Sequence, residues 1–168
     1  MKQIGLFTLI LTLLFCSCNN NNEPDLEIEL PINSVFIPNS IEINMNDIDD
    51  QQRGEIMKLV TNKHIVNNIA EVPSDPIGKN EAFYNVNYNE QTLLIMYLYK
   101  NWPFDTYSNR FYKNTKENIY NWVVKLGINP DYDEDTEIMQ LTRFAILVRK
   151  LPAGADVQTW YSVTQLGS

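Results

Sequence analysis

The chain has 168 residues, a formal net charge of −8 at pH 7 and 44% hydrophobic residues. This composition is typical of a folded globular domain, and the acidic balance argues against a nucleic-acid partner, since phosphate backbones would be repelled. One histidine, His64, and two cysteines are present, which argues against a zinc site and against a hydrolase with a histidine base. We expect no metal and no cofactor.

The chain begins with an apolar block. Residues 4–15 follow Lys2 and form an uninterrupted run of about 12 residues, which would span roughly 18 Å as a helix. A bilayer core needs about 20 apolar residues, so the block is too short to cross a membrane and has the length of a secretion signal.

The block runs into Leu14-Phe-Cys-Ser-Cys18, a segment that resembles the lipobox of bacterial lipoproteins. In that family a small residue precedes the cysteine that receives the lipid and becomes the first mature residue. Ser17 before Cys18 matches this pattern better than Phe15 before Cys16. The resemblance implies that residues 1–17 are removed as a signal peptide and that an acylated Cys18 anchors the protein permanently. The alternatives are an ordinary secreted protein that is cut elsewhere, or a buried pair of cysteines.

The segment after Cys18 is rich in asparagine and acidic residues. It looks like the acidic tether of surface lipoproteins in Bacteroidetes-type bacteria. This resemblance implies that the protein lies in the cell envelope, at the outer membrane, and leaves open whether it is exposed at the cell surface. We interpret residues 18–31 as a flexible tether and residues 32–168 as one globular domain. Leu26, Ile28 and Leu30 alternate with acidic residues, so the end of the tether could also add as an edge strand.

The first half of the domain contains one ambiguous segment. Alternating apolar residues predict two strand pieces, 35–37 and 41–45, separated by Pro38. Residues 54–70 favour a strand followed by a short helix that Thr61 and Asn62 would cap, with His64 at its start or on the surface. The alternative is one longer helix over residues 49–60.

The second half reads as a series of strands. Residues 92–99 are apolar at every position, which predicts a central strand covered on both faces. The other predicted strands are a short one over 84–88, a hairpin of 110–113 with 119–126, the longest strand over 138–148, and a last one over 157–163. Short connections predict an α+β, mainly β domain: an antiparallel sheet or small sandwich with one or two short helices.

Two of these strands carry a second resemblance. The segments Asn87-Tyr-Asn-Glu-Gln-Thr-Leu-Leu-Ile95 and Ala145-Ile-Leu-Val-Arg-Lys-Leu-Pro152 are similar to paired strands in PrcB-like, protease-inhibitor-like domains of small bacterial lipoproteins. The resemblance implies inhibition of a secreted protease as one alternative function. The Gly-rich segment of that family is absent here, and Asn101-Trp-Pro-Phe104 stands in its place.

Acidic residues are the remaining source of chemistry. Residues 131–137 alternate carboxylates like the start of a calcium loop, but Thr136 replaces the glycine and Thr142 the bidentate glutamate, so we interpret them as a solvated loop. A pair of carboxylates could hydrolyse glycans, which leaves a small glycan hydrolase as a further alternative.

Aromatic residues give the one positive indication of a binding surface. Trp102, Phe104 and Tyr107 lie in a predicted loop, where exposed rings commonly contact a protein or a sugar. The alternative is that they cap the core. The sequence therefore predicts a non-enzymatic envelope lipoprotein that acts by binding a protein or glycan partner.

Overall fold

The computed structural model describes residues 27–44, 46–101, 104–128 and 138–165. The signal, Cys18, Trp102 and the acidic run 131–137 lie outside these ranges. The strands are β1 (Glu27–Leu30), β2 (Ile32–Asn44), β3 (His64–Val66), β4 (Gln91–Lys100), β5 (Thr106–Asn114), β6 (Ile119–Ile128), β7 (Ile138–Arg149) and β8 (Asp156–Gln165). The helices are α1 (Asp50–Thr61) and two 3₁₀ helices, Ile69–Glu71 and Glu81–Asn85.

The strands form two four-stranded sheets. Sheet 1 has the order β1-β5-β6-β8 and sheet 2 the order β2-β7-β4-β3. The mainly β, sandwich-like α+β fold expected from the sequence is confirmed. The predicted hairpin is confirmed as β5 and β6, and the last predicted strand as β8.

Strand β4 lies inside sheet 2 and is buried on both faces, as its apolar sequence predicts. Its side chains point alternately to opposite faces, because successive residues of a strand do so. Leu94, Met96 and Leu98 belong to the core between the two sheets, where Trp122 of β6 is fully buried. The other face of β4 needs a separate cover.

That cover is a third layer on the outer face of sheet 2. Ile56 of α1 and Phe83 of the second 3₁₀ helix are buried there, in one cluster with Leu93 and Ile95 of β4. Sheet 2 therefore lies between sheet 1 and a layer made from the residues on either side of β3, 46–63 and 67–90. This arrangement gives the domain two separate apolar cores.

One strand pair departs from the antiparallel expectation, because β6 and β8 pair in parallel. Between them the chain crosses to sheet 2, where β7 pairs with β4 and β2. β8 then returns to sheet 1 in the direction of β6. The other pairs in the described residues are antiparallel.

The favoured prediction for residues 54–70 was wrong, and the longer helix was correct. Asp49 accepts a hydrogen bond from the Gln52 amide at 2.8 Å, and the Gln52 side chain accepts one from the Asp49 amide at 2.9 Å. This capping box starts α1 by pairing amides that the helix leaves unsatisfied. His64 lies in β3, half-buried, instead of at a helix start or on the surface.

Two further strand predictions need correction. Residues 84–88 are not a strand, because Asn80 accepts from the Ala82 amide at 3.1 Å and begins a 3₁₀ helix there. The two pieces around Pro38 form one strand, β2, whose 13 residues exceed the 12 of β7. The strand pairing shifts register between Phe36 and Asn39, which accommodates Pro38. β2 is also an edge strand, where the missing N–H of a proline is tolerated. The edge strand left open at residues 26–30 is present as β1.

Candidate functional site

Two polar side chains lie among apolar ones on the outer face of sheet 2. Tyr97 of β4 and Arg143 of β7 are directly opposite each other in the strand pairing. Both residues are buried. Burying a guanidinium is costly unless a counter-charge and hydrogen bonds replace its water, so a partner must come from the covering layer.

The partner is Asp75, in the loop between the two 3₁₀ helices. Its Oδ2 accepts from Arg143 Nη1 at 2.8 Å and from the Tyr97 hydroxyl, and its Oδ1 accepts from the Gly78 amide at 3.1 Å. The Asp75 and Arg143 side chains are only 1% and 4% exposed. We call these three residues the Asp75–Arg143–Tyr97 network.

Local sequence fixes the position of Asp75. The Gly78 amide donates to the Asp75 carbonyl at 3.2 Å, which closes a turn over Asp75-Pro-Ile-Gly78. Aspartate first, proline second and glycine fourth are the residues that such turns prefer. Gly78 has a φ of 91°, a conformation that costs a glycine little. The Gly78 carbonyl also accepts from Arg143 Nη1 at 2.8 Å, so the turn holds the arginine with its backbone as well.

Burial in this network changes the acidity of Tyr97. Desolvation raises the pKa of the Tyr97 phenol above its ordinary value of 10.0, and the hydrogen bond to Asp75 raises it further. The phenol therefore stays protonated and remains a donor throughout the physiological range. Its role in the folded protein is to donate to the carboxylate.

A large groove opens beside the network, between α1 and strand β2. Its volume is about 750 Å³, and its lining combines aliphatic side chains and prolines with polar residues, among them Asn62, His64 and Ser74. The aliphatic side chains include Ile41, Ile43, Ile48, Ile56 and Leu59. Helix α1 packs mainly against β4, and on the edge strand β2 Ile41 stays half-buried beside the buried Ile43. Gln52, Glu55 and Lys58 give the helix side of the groove a polar rim.

A smaller cavity of about 210 Å³ lies at the same loop. Arg143, Lys79, Asn80, Phe83 and Tyr84 are among its lining residues. Pro73, Ser74 and Asp75 line both the cavity and the groove. The loop that carries the counter-charge of Arg143 is therefore a wall shared by two concave surfaces.

His64 has a positioning role in the structure. Its Nε2 donates to the Leu59 carbonyl at 2.8 Å, and its ring meets the Tyr97 ring edge-on at 5.3 Å between centroids. These contacts join the last turn of α1 to β4. No group of three or more His, Cys, Asp or Glu placed to hold a metal ion occurs among the described residues.

Two members of the predicted ring cluster, Phe104 and Tyr107, lie at the other side of sheet 2. Phe104 and Tyr107 are half-buried, and their ring centroids lie 5.4 Å and 6.1 Å from that of Phe144. Both pack against the core between the sheets, as the core-capping alternative expects. Trp102 lies outside the described residues, and a ligand role for these three rings stays a prediction.

The residues that do form concave surfaces were not predicted as a site. Two signals were present in the sequence: an arginine inside the apolar strand of residues 138–148, and the turn-forming Asp75-Pro76 pair. Neither signal says that the two segments meet. Among the described residues, no helix has both the length and the apolar character that crossing a bilayer requires.

No protein-family model matches this chain, and neither a curated protein nor a solved structure gives a significant match. The resemblances to lipoproteins and to PrcB-like domains therefore stay predictions. Function has to be argued from the geometry described above.

We expect the buried ion pair to be essential for stability. Asp75→Ala leaves Arg143 charged and without its counter-ion, which should lower the free energy of unfolding by about 3–5 kcal/mol. Lys63→Ala is a matched control, because it breaks an ion pair with Asp156 whose side chains are 52% and 45% exposed. That variant should lose less than about 1 kcal/mol. Urea denaturation of both variants measures the difference, and equal losses would contradict the essential role.

The raised pKa of Tyr97 predicts a specific loss of stability at alkaline pH. Because the folded pKa exceeds the unfolded value of 10.0, the unfolded chain releases this proton first. The stabilisation is therefore complete below pH ~10 and falls as pH rises above it.

Tyr97→Phe removes this titration together with one hydrogen bond. The variant should be less stable than the wild type at pH ~8 by about 1–3 kcal/mol, and the gap should narrow at pH ~11. Tyr161→Phe, at a 42% exposed position, serves as the control and should keep the wild-type pH dependence. Denaturation curves at the two pH values measure the stability difference between Tyr97→Phe and the wild type. A difference that is the same at both pH values would contradict the raised pKa of Tyr97.

Proposed function

We propose that the protein is a lipid-anchored binding module of the bacterial cell envelope, without enzymatic activity, that holds an apolar segment of a protein partner in the groove between α1 and β2. The observation that supports this most is the groove itself. Its volume of about 750 Å³ falls within the roughly 300–1,000 Å³ of typical ligand sites. An apolar recess of this kind on a folded domain commonly marks a binding surface.

The lining favours a protein segment over a glycan. Five aliphatic side chains and two prolines line the groove beside its polar residues, and Ile41, Ile48 and Leu59 are half-buried and available for contact. Sugars are usually held by flat aromatic rings and polar groups, whereas aliphatic side chains of a partner gain most from burial in such a groove. The polar rim of Gln52, Glu55 and Lys58 can then fix the register of the bound segment.

The network supports binding over catalysis. Both carboxylate oxygens of Asp75, the buried acid at the groove, accept hydrogen bonds within the protein. A carboxylate that is 1% exposed and accepts three hydrogen bonds within the protein is engaged in holding the loop in place. Protease inhibition and glycan hydrolysis, the two alternatives raised by the sequence, have no supporting observation in the described residues and stay predictions.

The proposed anchor sets how far the groove can be from the membrane. Strand β1 begins at Glu27, so nine peptide steps separate it from Cys18. Fully extended, they reach roughly 30 Å. A multiply acylated cysteine would make the attachment stable, since one acyl chain alone binds only marginally.

Groove binding can be tested with peptides displayed on phage. Peptides selected on the wild-type domain should be rich in aliphatic residues. Ile48→Glu should weaken their binding by at least about tenfold, because it places a charge against the apolar side chains that the peptide buries in the groove. Ile37→Glu, on β2 but 85% exposed, is the control and should bind as the wild type does. Melting temperatures of both variants check the fold. Equal binding by Ile48→Glu and wild type would contradict the groove as the site.

The anchor has its own test in the source bacterium. Intact mass of protein extracted from membranes should give an amino terminus at Cys18 carrying acyl chains. Cys18→Ser should remove the lipid mass, whereas Cys16→Ser should leave it unchanged, because Cys16 lies in the removed signal. An unmodified terminus at another residue would contradict the anchor while leaving the groove result unaffected.

A further inference from the structure

The guanidinium of Arg143 is only partly satisfied. Nη1 donates to both Asp75 and the Gly78 carbonyl. Nη2 is buried and has no hydrogen-bond partner, the one such side-chain atom among the residues that the structure describes. A buried donor of a charged group that has no partner loses its hydrogen bonds to water, and this penalty is larger than the net stabilisation from an average hydrogen bond. We therefore expect an acceptor at Nη2.

No atom of the described residues lies in hydrogen-bond geometry with Nη2. Its guanidinium carbon lies 5.5 Å from the centroid of the Phe83 ring, which offers a π face and no lone pair. Arg143 also lines the cavity of about 210 Å³ beside the Asp75 loop. A small ligand in that cavity could bring the missing acceptor.

The charges of the cavity favour a monoanion. Asp75 neutralises Arg143, and Lys79 leaves one net positive charge among the lining residues. A dianion such as phosphate would bring excess negative charge close to the Asp75 carboxylate. A carboxylate matches the single charge and is the group that a guanidinium binds with short, charge-assisted hydrogen bonds.

The size and walls of the cavity favour a short hydrocarbon part. The volume of about 210 Å³ is below the roughly 300 Å³ at which typical ligand sites begin. Ile69, Val72 and Phe83 give it apolar walls, and Lys79 and Asn80 are polar. Tyr84, also in the lining, is 58% exposed, so this part of the cavity wall can move when a ligand enters.

We propose that this cavity binds a short-chain monocarboxylate, with one carboxylate oxygen accepting from Arg143 Nη2 and with Lys79 close to the charge. The hydrocarbon part packs against the apolar walls. This site is separate from the groove and independent of the protein partner proposed for it.

The direct test is titration of the mature chain with sodium butyrate at constant ionic strength. Binding should be saturable by calorimetry, and the side-chain ¹⁵N–¹H signals of Arg143 should shift in nuclear magnetic resonance spectra. Butanol and inorganic phosphate, titrated in parallel, should bind at least about tenfold more weakly, because the first lacks the charge and the second does not match it.

Two variants assign the contact. Arg143→Lys keeps a cation for Asp75 but has no second nitrogen, so butyrate binding should fall about tenfold or more, as expected for losing a hydrogen bond to a charged group. Lys79→Gln should weaken binding about two- to fivefold, as for an exposed charge, while Lys125→Gln, exposed on β6, should have no effect.

Three outcomes would overturn the proposal. Equal binding of butanol would mean that the cavity takes any apolar molecule, and equal binding of phosphate would mean general attraction of anions. No saturable shift with butyrate would mean that water alone satisfies Nη2. If Arg143→Lys fails to fold, the butyrate titration of the wild type and of Lys79→Gln still decides.

Discussion

The buried ion pair between Arg143 and Asp75 is the constraint on which the outer layer of the domain depends. Arg143 is part of an interior strand, and its charge faces an otherwise apolar surface. That charge can be accommodated only where a carboxylate from the covering layer reaches it. Because Asp75 lies in a turn whose loop lines both the groove and the cavity, one ion pair positions the wall that the two concave surfaces share.

An ion pair is a costly way to achieve this positioning. An aliphatic residue at position 143 would pack against Phe83 without desolvating a charge, and buried ion pairs often give no net stability over such packing. Hydrogen bonds depend on direction, whereas apolar contacts allow neighbouring groups to slide. Arg143 Nη1 can donate to both Asp75 and the Gly78 carbonyl only when the loop is in one position. The pair therefore favours a defined position of the loop, which a binding surface needs more than a core does.

The sequence predicts the sheets better than the layer that covers them. The unbroken apolar run of β4 and the alternation of Tyr120, Trp122 and Val124 reveal burial without any tertiary information. For the segment that forms α1 the sequence favours a strand, because Ile56, Leu59 and Val60 give only a short helical pattern after Gly54. The network could not be predicted, since 68 residues separate Asp75 from Arg143 and no periodicity says which loop approaches a strand.

The order of layers also bears on the proposed anchor. The described chain begins with β1 in sheet 1, whereas the groove and the cavity lie on the outer face of sheet 2. Sheet 2 lies between sheet 1, which would receive the tether, and the outer layer, which carries both concave surfaces. Packed sheets are about 10 Å apart, so the two layers are well separated. A tether attached to sheet 1, with a reach of at most roughly 30 Å, would therefore join the domain at the layer that carries neither the groove nor the cavity.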